Sequence, residues 1–260
     1  MTSGPRARPP IDRDPLDPAR LPDRVEVLAE AGSTNALLAA RAREGAASGA
    51  VLVTEHQTAG RGRLDRVWET PARSALTFSV VQWPDLSAAM WPWIPLATGC
   101  AVHAALAATV PGLGLKWPND VLVEGRKVAG ILVERVETPR GPAAIIGIGL
   151  NVSTTRDELP VDNATSLALE LGHAPDRTDL LIALLATLDE TLSRLAGDPD
   201  SLRTSYAAAC VTLGREVRVE MPAGEPISGR ASAIDPGGQL VVETATGQTK
   251  VGAGDVTHVR

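Results

Sequence analysis

The chain reads as an α+β protein that ends in a small all-β module. Three observations carry this. Short apolar strands and a few helical stretches share residues 25–212. From Leu213 onward the pattern changes to short strands separated by turn signals. The composition, 44% hydrophobic and 22% charged over 260 residues, supplies a full core and lacks the bias of a disordered chain.

Residues 1–24 hold six Pro, five Arg and four Asp and are expected to form a flexible arm. Val25–Glu30 alternates as a short strand. Ser33 or Thr34 is placed to cap a helix over Ala36–Glu44, with Gly45 at its end. Strands are expected at Ala50–Thr54 and Ser74–Gln82, with Glu55–Arg73 between them as a long loop carrying four Arg. Trp93–Thr109 is an apolar helix whose Pro92 and Pro95 suit its first turn. Gly114–Trp117 is extended and broken by Pro118. Val121–Val123 and Val128–Val136 form a hairpin around Glu124-Gly125-Arg126. Ala143–Leu150 is an apolar strand ending at Asn151. Helices follow at Thr178–Leu195 and Ser201–Thr212. The terminal module, residues 213–260, has strands at Val217–Glu220, Ile227–Ile234, Leu240–Glu243 and Thr249–Val251, with turns at Asp235-Pro236-Gly237-Gly238 and Thr246-Gly247.

Charge excludes some functions. The net charge of −6 disfavours general nucleic-acid binding. No apolar run reaches the roughly 18 residues of a membrane span, and the N-terminus lacks the apolar core of a secretory signal. Cys100 and Cys210, in Ala-rich surroundings, read as buried thiols of a cytoplasmic protein. The four histidines have no ligand-like spacing, so a zinc site is not expected; His56, near the Arg loop, is the one worth following. Of 25 basic residues only three are Lys, at 116, 127 and 250. Lys at those positions then has a chemical significance that Arg would not share.

Four motifs carry chemistry. Gly60-Arg61-Gly62-Arg63-Leu64-Asp65-Arg66-Val67-Trp68 suits an anion, since glycines admit backbone N–H groups and guanidinium forks bind phosphate or carboxylate; a solvated Arg-rich loop is the plain alternative. Lys116-Trp117-Pro118-Asn119-Asp120 with Lys127-Val128-Ala129-Gly130-Ile131-Leu132 gathers two of the three lysines. Asp120 is a candidate oxygen ligand for the magnesium of a nucleotide, while Trp-Pro-Asn-Asp alone can simply build a turn. Gly147-Ile148-Gly149-Leu150-Asn151 puts two glycines on one strand face where a flat ligand can lie, with Asn151 suited to an adenine edge; a glycine-bearing core strand is the alternative. Gly32-Ser33-Thr34-Asn35 offers hydroxyls and an amide to a polar molecule, or ordinary capping.

In this order the motifs resemble those of the biotin protein ligases, over about residues 25–260. The resemblance implies a catalytic domain like that of the class II aminoacyl-tRNA synthetases, a mixed sheet with helices, followed by an SH3-like barrel. It implies that biotin and Mg-ATP are substrates, with no prosthetic group. Biotin is activated as biotinyl-5′-AMP and transferred to a lysine of a biotin carboxyl carrier domain. By resemblance Ser33, Thr34, Asn35, Gln57, Gly60, Arg61, Gly62, Arg63, Lys127 and Gly130 bind biotin. Arg61, Arg63, Arg66, Trp68, Lys116, Asn119 and Asn151 bind ATP or the adenylate. Lys127, Arg63, Lys116 and Asp120 act in catalysis, with Asp120 reaching magnesium through ATP. Members commonly carry Gly where Asp65 stands. The 24 residues before the first strand are fewer than the roughly 60 of a DNA-binding domain, so a monofunctional ligase without DNA binding, a monomer or weak homodimer, is expected. A lipoate or octanoate ligase or transferase of the same fold and a non-catalytic biotin-binding protein are the rival readings; a nucleotide hydrolase is more remote, since no P-loop is present.

Overall fold

The computed structural model describes residues 13–64 and 66–259. The first twelve residues of the expected arm and Asp65 lie outside them.

A seven-stranded mixed sheet forms the larger part. Its strands are β1 (Val25–Leu28), β2 (Val51–Thr54), β3 (Ala75–Gln82), β4 (Leu113–Lys116), β5 (Asp120–Val123), β6 (Arg126–Val136) and β7 (Ala143–Asn151), in the order β1-β2-β3-β7-β6-β5-β4. Only β1 and β2 run parallel; every other pair is antiparallel. The β5–β6 turn at Glu124-Gly125 has both residues at positive φ, 48° and 78°, the geometry whose twist matches a hairpin.

The pleat divides each strand between two faces. Val51 and Val53, Leu76, Phe78 and Val80, and Ala144, Ile146, Ile148 and Leu150 face a single large core. Helices α2 (Trp93–Leu106) and α4 (Arg177–Gly197) pack there, with α5 (Pro199–Ala209) beside them. The opposite face is covered at one end by α1 (Thr34–Arg43), whose Leu38, Ala39 and Ala42 pack on Leu52, Val81 and Ile145. Ser33 caps α1 through the Ala36 N–H, a contact worth about 0.5–2 kcal/mol. The rest of that face is the open floor described below. A short helix, α3 (Leu167–Leu171), lies in a stretch where no element is expected.

Residues 13–24 correct the expectation of a flexible arm. They are laid down on the sheet and α4. Leu16 is buried, and its N–H donates to Glu55. Arg13 bonds Glu158 at 2.6 Å, Arg20 pairs with Asp176 and Asp179, and Arg24 with Asp189. Arg177, 7% exposed, joins the Asp14 carbonyl, the Ala75 carbonyl and the Glu55 carboxylate.

The terminal module is a five-stranded antiparallel sheet, SH3-like, of β8 (Glu216–Glu220), β9 (Ile227–Ile234), β10 (Leu240–Thr244), β11 (Gly247–Val251) and β12 (Asp255–His258), ordered β11-β10-β9-β8-β12. The sequence reading missed β12, which pairs with β8 along Asp255–His258. The module is bolted to the larger domain by its Asp235–Gly238 turn. The Trp93 indole donates to the Pro236 carbonyl at 2.9 Å, and Trp117, fully buried, donates to Gly238 at 3.1 Å. Burying these indoles with their N–H groups satisfied is what makes Trp useful at such a seam. Both cysteines are free thiols, and burial pushes Cys100 up to about 12.

Candidate active site

The same alternation that fills the core leaves a polar and glycine-lined strip on the α1 side of the sheet. β3 presents Thr77 and Ser79, β7 presents Gly147 and Gly149, and β6 presents Gly130, Leu132 and Glu134. Gly130 stands directly opposite Gly149, and Ser79 opposite Gly147. With no Cβ atoms there, neighbouring groups rest on the backbone itself. A Cβ on Gly147 would lie 2.3 Å from Asn35 Oδ1, and one on Gly149 2.5 Å from the Trp68 ring.

At one end of the floor the start of α1 makes a buried polar cluster. Thr34 donates its N–H to Gln57 Oε1 at 3.0 Å. Ser79 donates to Asn35 Oδ1 at 2.6 Å and stands 2.7 Å from Thr34 Oγ1. Asn35 Nδ2 donates to Glu134 at 2.7 Å and to the Leu132 carbonyl at 3.2 Å. Ser33, Thr34, Asn35, Gln57, Thr77 and Ser79 are all buried. Thr34, Asn35, Gln57 and Ser79 are neutral donors and acceptors joined in one network that Glu134 anchors, suited to an uncharged polar head group.

Cations gather toward the other end. Lys127 Nζ lies 2.6 Å from Asp120 Oδ1. That oxygen has no aligned hydrogen bond, so the contact is an ion pair by proximity, ready to be exchanged for an anion. The Lys127 backbone is clamped on both sides, its N–H donating to Asn163 and its carbonyl accepting from Thr165. Arg61 bonds Glu134 at 2.9 Å. Among the described residues Arg63 is held by neutral acceptors, Asn119 Oδ1 at 2.9 Å and the Gly254 carbonyl at 3.4 Å. Its desolvation, partly offset by Asp120 and Asp255, holds its pKa below the usual arginine value. A desolvated guanidinium facing neutral partners is a strong seat for an anion.

The Gly60–Trp68 loop roofs this strip as a small hairpin. Gly62 N–H donates to Arg66, Trp68 N–H donates to Gly60, and Arg61 bridges Val67. Gly60 is buried beneath it, against Gln57 and the Trp68 carbonyl. The Trp68 ring lies over Gly130 and Gly149, with Lys127 Nζ 5.6 Å from its centroid. Its indole Nε1 is buried with no hydrogen-bond partner among the described residues. The cavity left below is about 130 Å³, smaller than the roughly 300 Å³ at which sites for drug-sized ligands begin. A flat ligand lying on these glycines would displace the Trp68 ring that covers them.

The structure brings together most residues singled out from the sequence: Ser33, Thr34, Asn35, Gln57, Arg61, Gly62, Arg63, Arg66, Trp68, Asn119, Asp120, Lys127 and Gly130 all line this one cavity. Three expected members do not: Gly60, buried beneath the loop, Lys116 and Asn151. Lys116 sits on β4 beside His258, outside the lining; with burial as the larger cause, its charge helps push that histidine down to about 4. The side chain of Asn151 is turned into the protein, 4% exposed, donating to the Thr165 carbonyl at 3.0 Å. It thereby steadies the segment that clamps Lys127 rather than facing the cavity. His56 is also outside, 3.3 Å from Glu30. Among the described residues no group of three His, Cys, Asp or Glu is placed to hold a metal.

Thr77, Ser79, Glu134 and Asp255 were missed. A signal existed for the first two, since they are the polar alternates in an otherwise apolar strand. Asp255 begins the strand that the sequence did not reveal, and reaches the site across the module boundary.

Residues 31–151 match the biotin/lipoate A/B protein ligase family, and residues 212–259 match the biotin protein ligase C-terminal domain. The chain is 43% identical to the biotin–[acetyl-CoA-carboxylase] ligase of Mycobacterium tuberculosis, with 100% of both chains covered. It is 31% identical to the bifunctional ligase/repressor BirA of Bacillus spizizenii, over 83% of this chain and 68% of that protein. Among solved structures, the biotin protein ligase from Aquifex aeolicus in complex with biotin and ATP matches with a TM-score of 0.77 at 28% identity, over 92% of this chain and 99% of that one. The chain belongs to the biotin protein ligase family.

Proposed function

We propose that the chain is an ATP-dependent biotin protein ligase that works in two steps at this cavity. In the first, a biotin carboxylate oxygen bonds to the α-phosphorus of Mg-ATP and pyrophosphate leaves. In the second, the amine of an acceptor lysine bonds to the acyl carbon. AMP leaves, a proton is lost and an amide remains. The acceptor is a lysine of a biotin carboxyl carrier domain, as the name of the Mycobacterium tuberculosis relative implies.

One observation carries the reading. A neutral polar cluster, a glycine floor and a group of exchangeable cations lie in sequence along one cleft. The ring system of biotin fits the cluster of Ser33, Thr34, Asn35 and Gln57. The carboxylate then meets the α-phosphate at Lys127 and Arg63, where two anions need fixed positive charge as more negative charge develops. The loop shields the adenylate from water. Magnesium arrives as part of the ATP substrate, and its coordination comes chiefly from the phosphates. Asp120, paired with Lys127 at the cavity wall, is a carboxylate that would support it once Lys127 turns to the new anion. Gly130 and Gly149 admit the flat part of the adenylate once Trp68 moves.

The reading carries no nucleic-acid partner, consistent with the net charge of −6. No helix among the described residues is long and apolar enough to cross a membrane. A cytoplasmic location and a monomeric or weakly dimeric state belong to the same proposal; sedimentation across a concentration series tests the latter.

The transfer itself is tested by incubating the purified chain with ATP, magnesium, biotin and a carrier domain of a biotin-dependent carboxylase. The expected product is carrier heavier by one biotin less one water, on a single lysine. Equal labelling with lipoate or octanoate, or none with biotin, overturns the reading.

A further inference from the structure

The terminal module reaches the site at one place. Arg66, at the outer end of the roof loop, forks onto the Asp255 carboxylate, with Nη1 to Oδ1 at 3.3 Å and Nη2 on Oδ2. Next to it Arg63 donates to the Gly254 carbonyl. Gly254 is fixed in place, since a Cβ there would lie 2.6 Å from Val219 and 3.0 Å from the Glu220 carbonyl. The carboxylate therefore stands on a rigid turn leading into β12. The loop it holds has no comparable packing: Leu64 and Val67 are 49% and 67% exposed. Within the loop the hairpin bonds fix its shape, but they do not fix its position over the floor. Among the described residues, the contacts that fix position are Arg61 to Glu134, Arg63 to Asn119 and the Gly254 carbonyl, Trp68 on the glycines, and this fork.

We propose that Asp255 is a positioning residue of the terminal module that holds the Gly60–Trp68 loop closed through Arg66, so that the module sets how long the loop shields what lies beneath it. The fork is half exposed, with side chains 64% and 35% accessible. Such a pair shifts an open–closed balance by roughly two- to fivefold. A modest latch suits a roof that opens in every catalytic cycle. The pair raises the Arg66 pKa, chiefly through its hydrogen bond with Asp255.

The test has two arms, and only the second rests on the ligase reading. In the first, amide hydrogen exchange is followed across the loop in the ligand-free chain. Arg66→Ala and Asp255→Ala are each expected to speed exchange there roughly two- to fivefold, the double variant no further, and the swap Arg66→Asp with Asp255→Arg to restore it. Arg66 is a surface residue, so its variant reports even if Asp255→Ala perturbs the module. Wild-type exchange in both single variants, or effects that multiply in the double, overturns the latch. The second arm measures biotin-dependent AMP release without a carrier. Here water attacks the acyl carbon, the bond to the AMP oxygen breaks, and biotin and AMP leave. The same two- to fivefold rise is expected, and a loosened loop with no rise overturns the shielding role. If the wild-type chain makes no adenylate, the ligase reading fails while the exchange arm still decides the latch.

Discussion

The floor and the roof of the cleft are built on opposite principles. The floor is buried sheet. Its glycines and hydroxyls sit at fixed pleat positions on β3, β6 and β7, backed by a continuous apolar core. The roof is a nine-residue loop held by ion pairs and one tryptophan face. Close packing makes the first intolerant of even a methyl group, whereas the second relies on contacts each worth a kilocalorie per mole or less. The chemistry occurs between them, so the floor sets where the ligand lies and the roof sets how long it stays.

Predictions sharpen that division. The largest effect is expected where floor meets charge. Lys127→Ala should lower biotin-dependent ATP–pyrophosphate exchange by about 10²–10³-fold, with a cooperative thermal transition retained. Exchange near the wild-type rate would remove Lys127 from the junction. Gly149→Ala, whose Cβ meets the Trp68 ring at 2.5 Å, should cost about 10–100-fold in kcat/KM for ATP and little in biotin affinity; titration and steady-state kinetics separate the two. Glu134→Gln loosens both Asn35 and Arg61 and should weaken biotin binding by about 2–13-fold, the net weight of one ordinary hydrogen bond of about 0.5–1.5 kcal/mol, measurable by calorimetry.

The smallest effect concerns the seam that carries the module. His258 Nε2 is 3.1 Å from Thr212 Oγ1, and its pKa is driven down to about 4 by burial, then by Lys116 and Arg215. A histidine with a depressed folded value takes up its proton more readily when unfolded. Its contribution is therefore intact above the ordinary value of 6.5 and is lost as pH falls from there toward 4. Thermal midpoints between pH 7.5 and 4.5 should fall less steeply in His258→Asn than in wild type. Parallel curves would show that the histidine does not couple the seam to pH.

Much of this was legible in the sequence because the floor obeys local rules. Alternation located β1, an apolar run located β7, the Glu124-Gly125 turn located the β5–β6 hairpin, and Ser33 with Gly45 bounded α1. The glycine pair in β7 was readable as an open face for the same reason. What was not legible depends on contacts distant in sequence. Glu134 gains its role from Asn35 and Arg61, 99 and 73 positions away, and Asp255 from Arg66 across 189. Asn151 looked like a ligand contact by its place at a strand end, and only the path of the 163–165 segment turns it inward. Lys116 is near Lys127 in sequence, yet on β4 it lies toward the module, beside His258. Residues 13–24 looked like an arm by composition, although their arginines find Glu158, Asp176, Asp179 and Asp189 on the helical side.

The most direct test of the central claim is ATP–pyrophosphate exchange by the purified chain with biotin, lipoate, octanoate or no acid. It isolates the step that occurs between floor and roof and requires no acceptor. Exchange with biotin alone is the predicted result. Exchange with lipoate or octanoate, or none with biotin from folded protein that binds it, would contradict the assignment of this cleft to biotin activation.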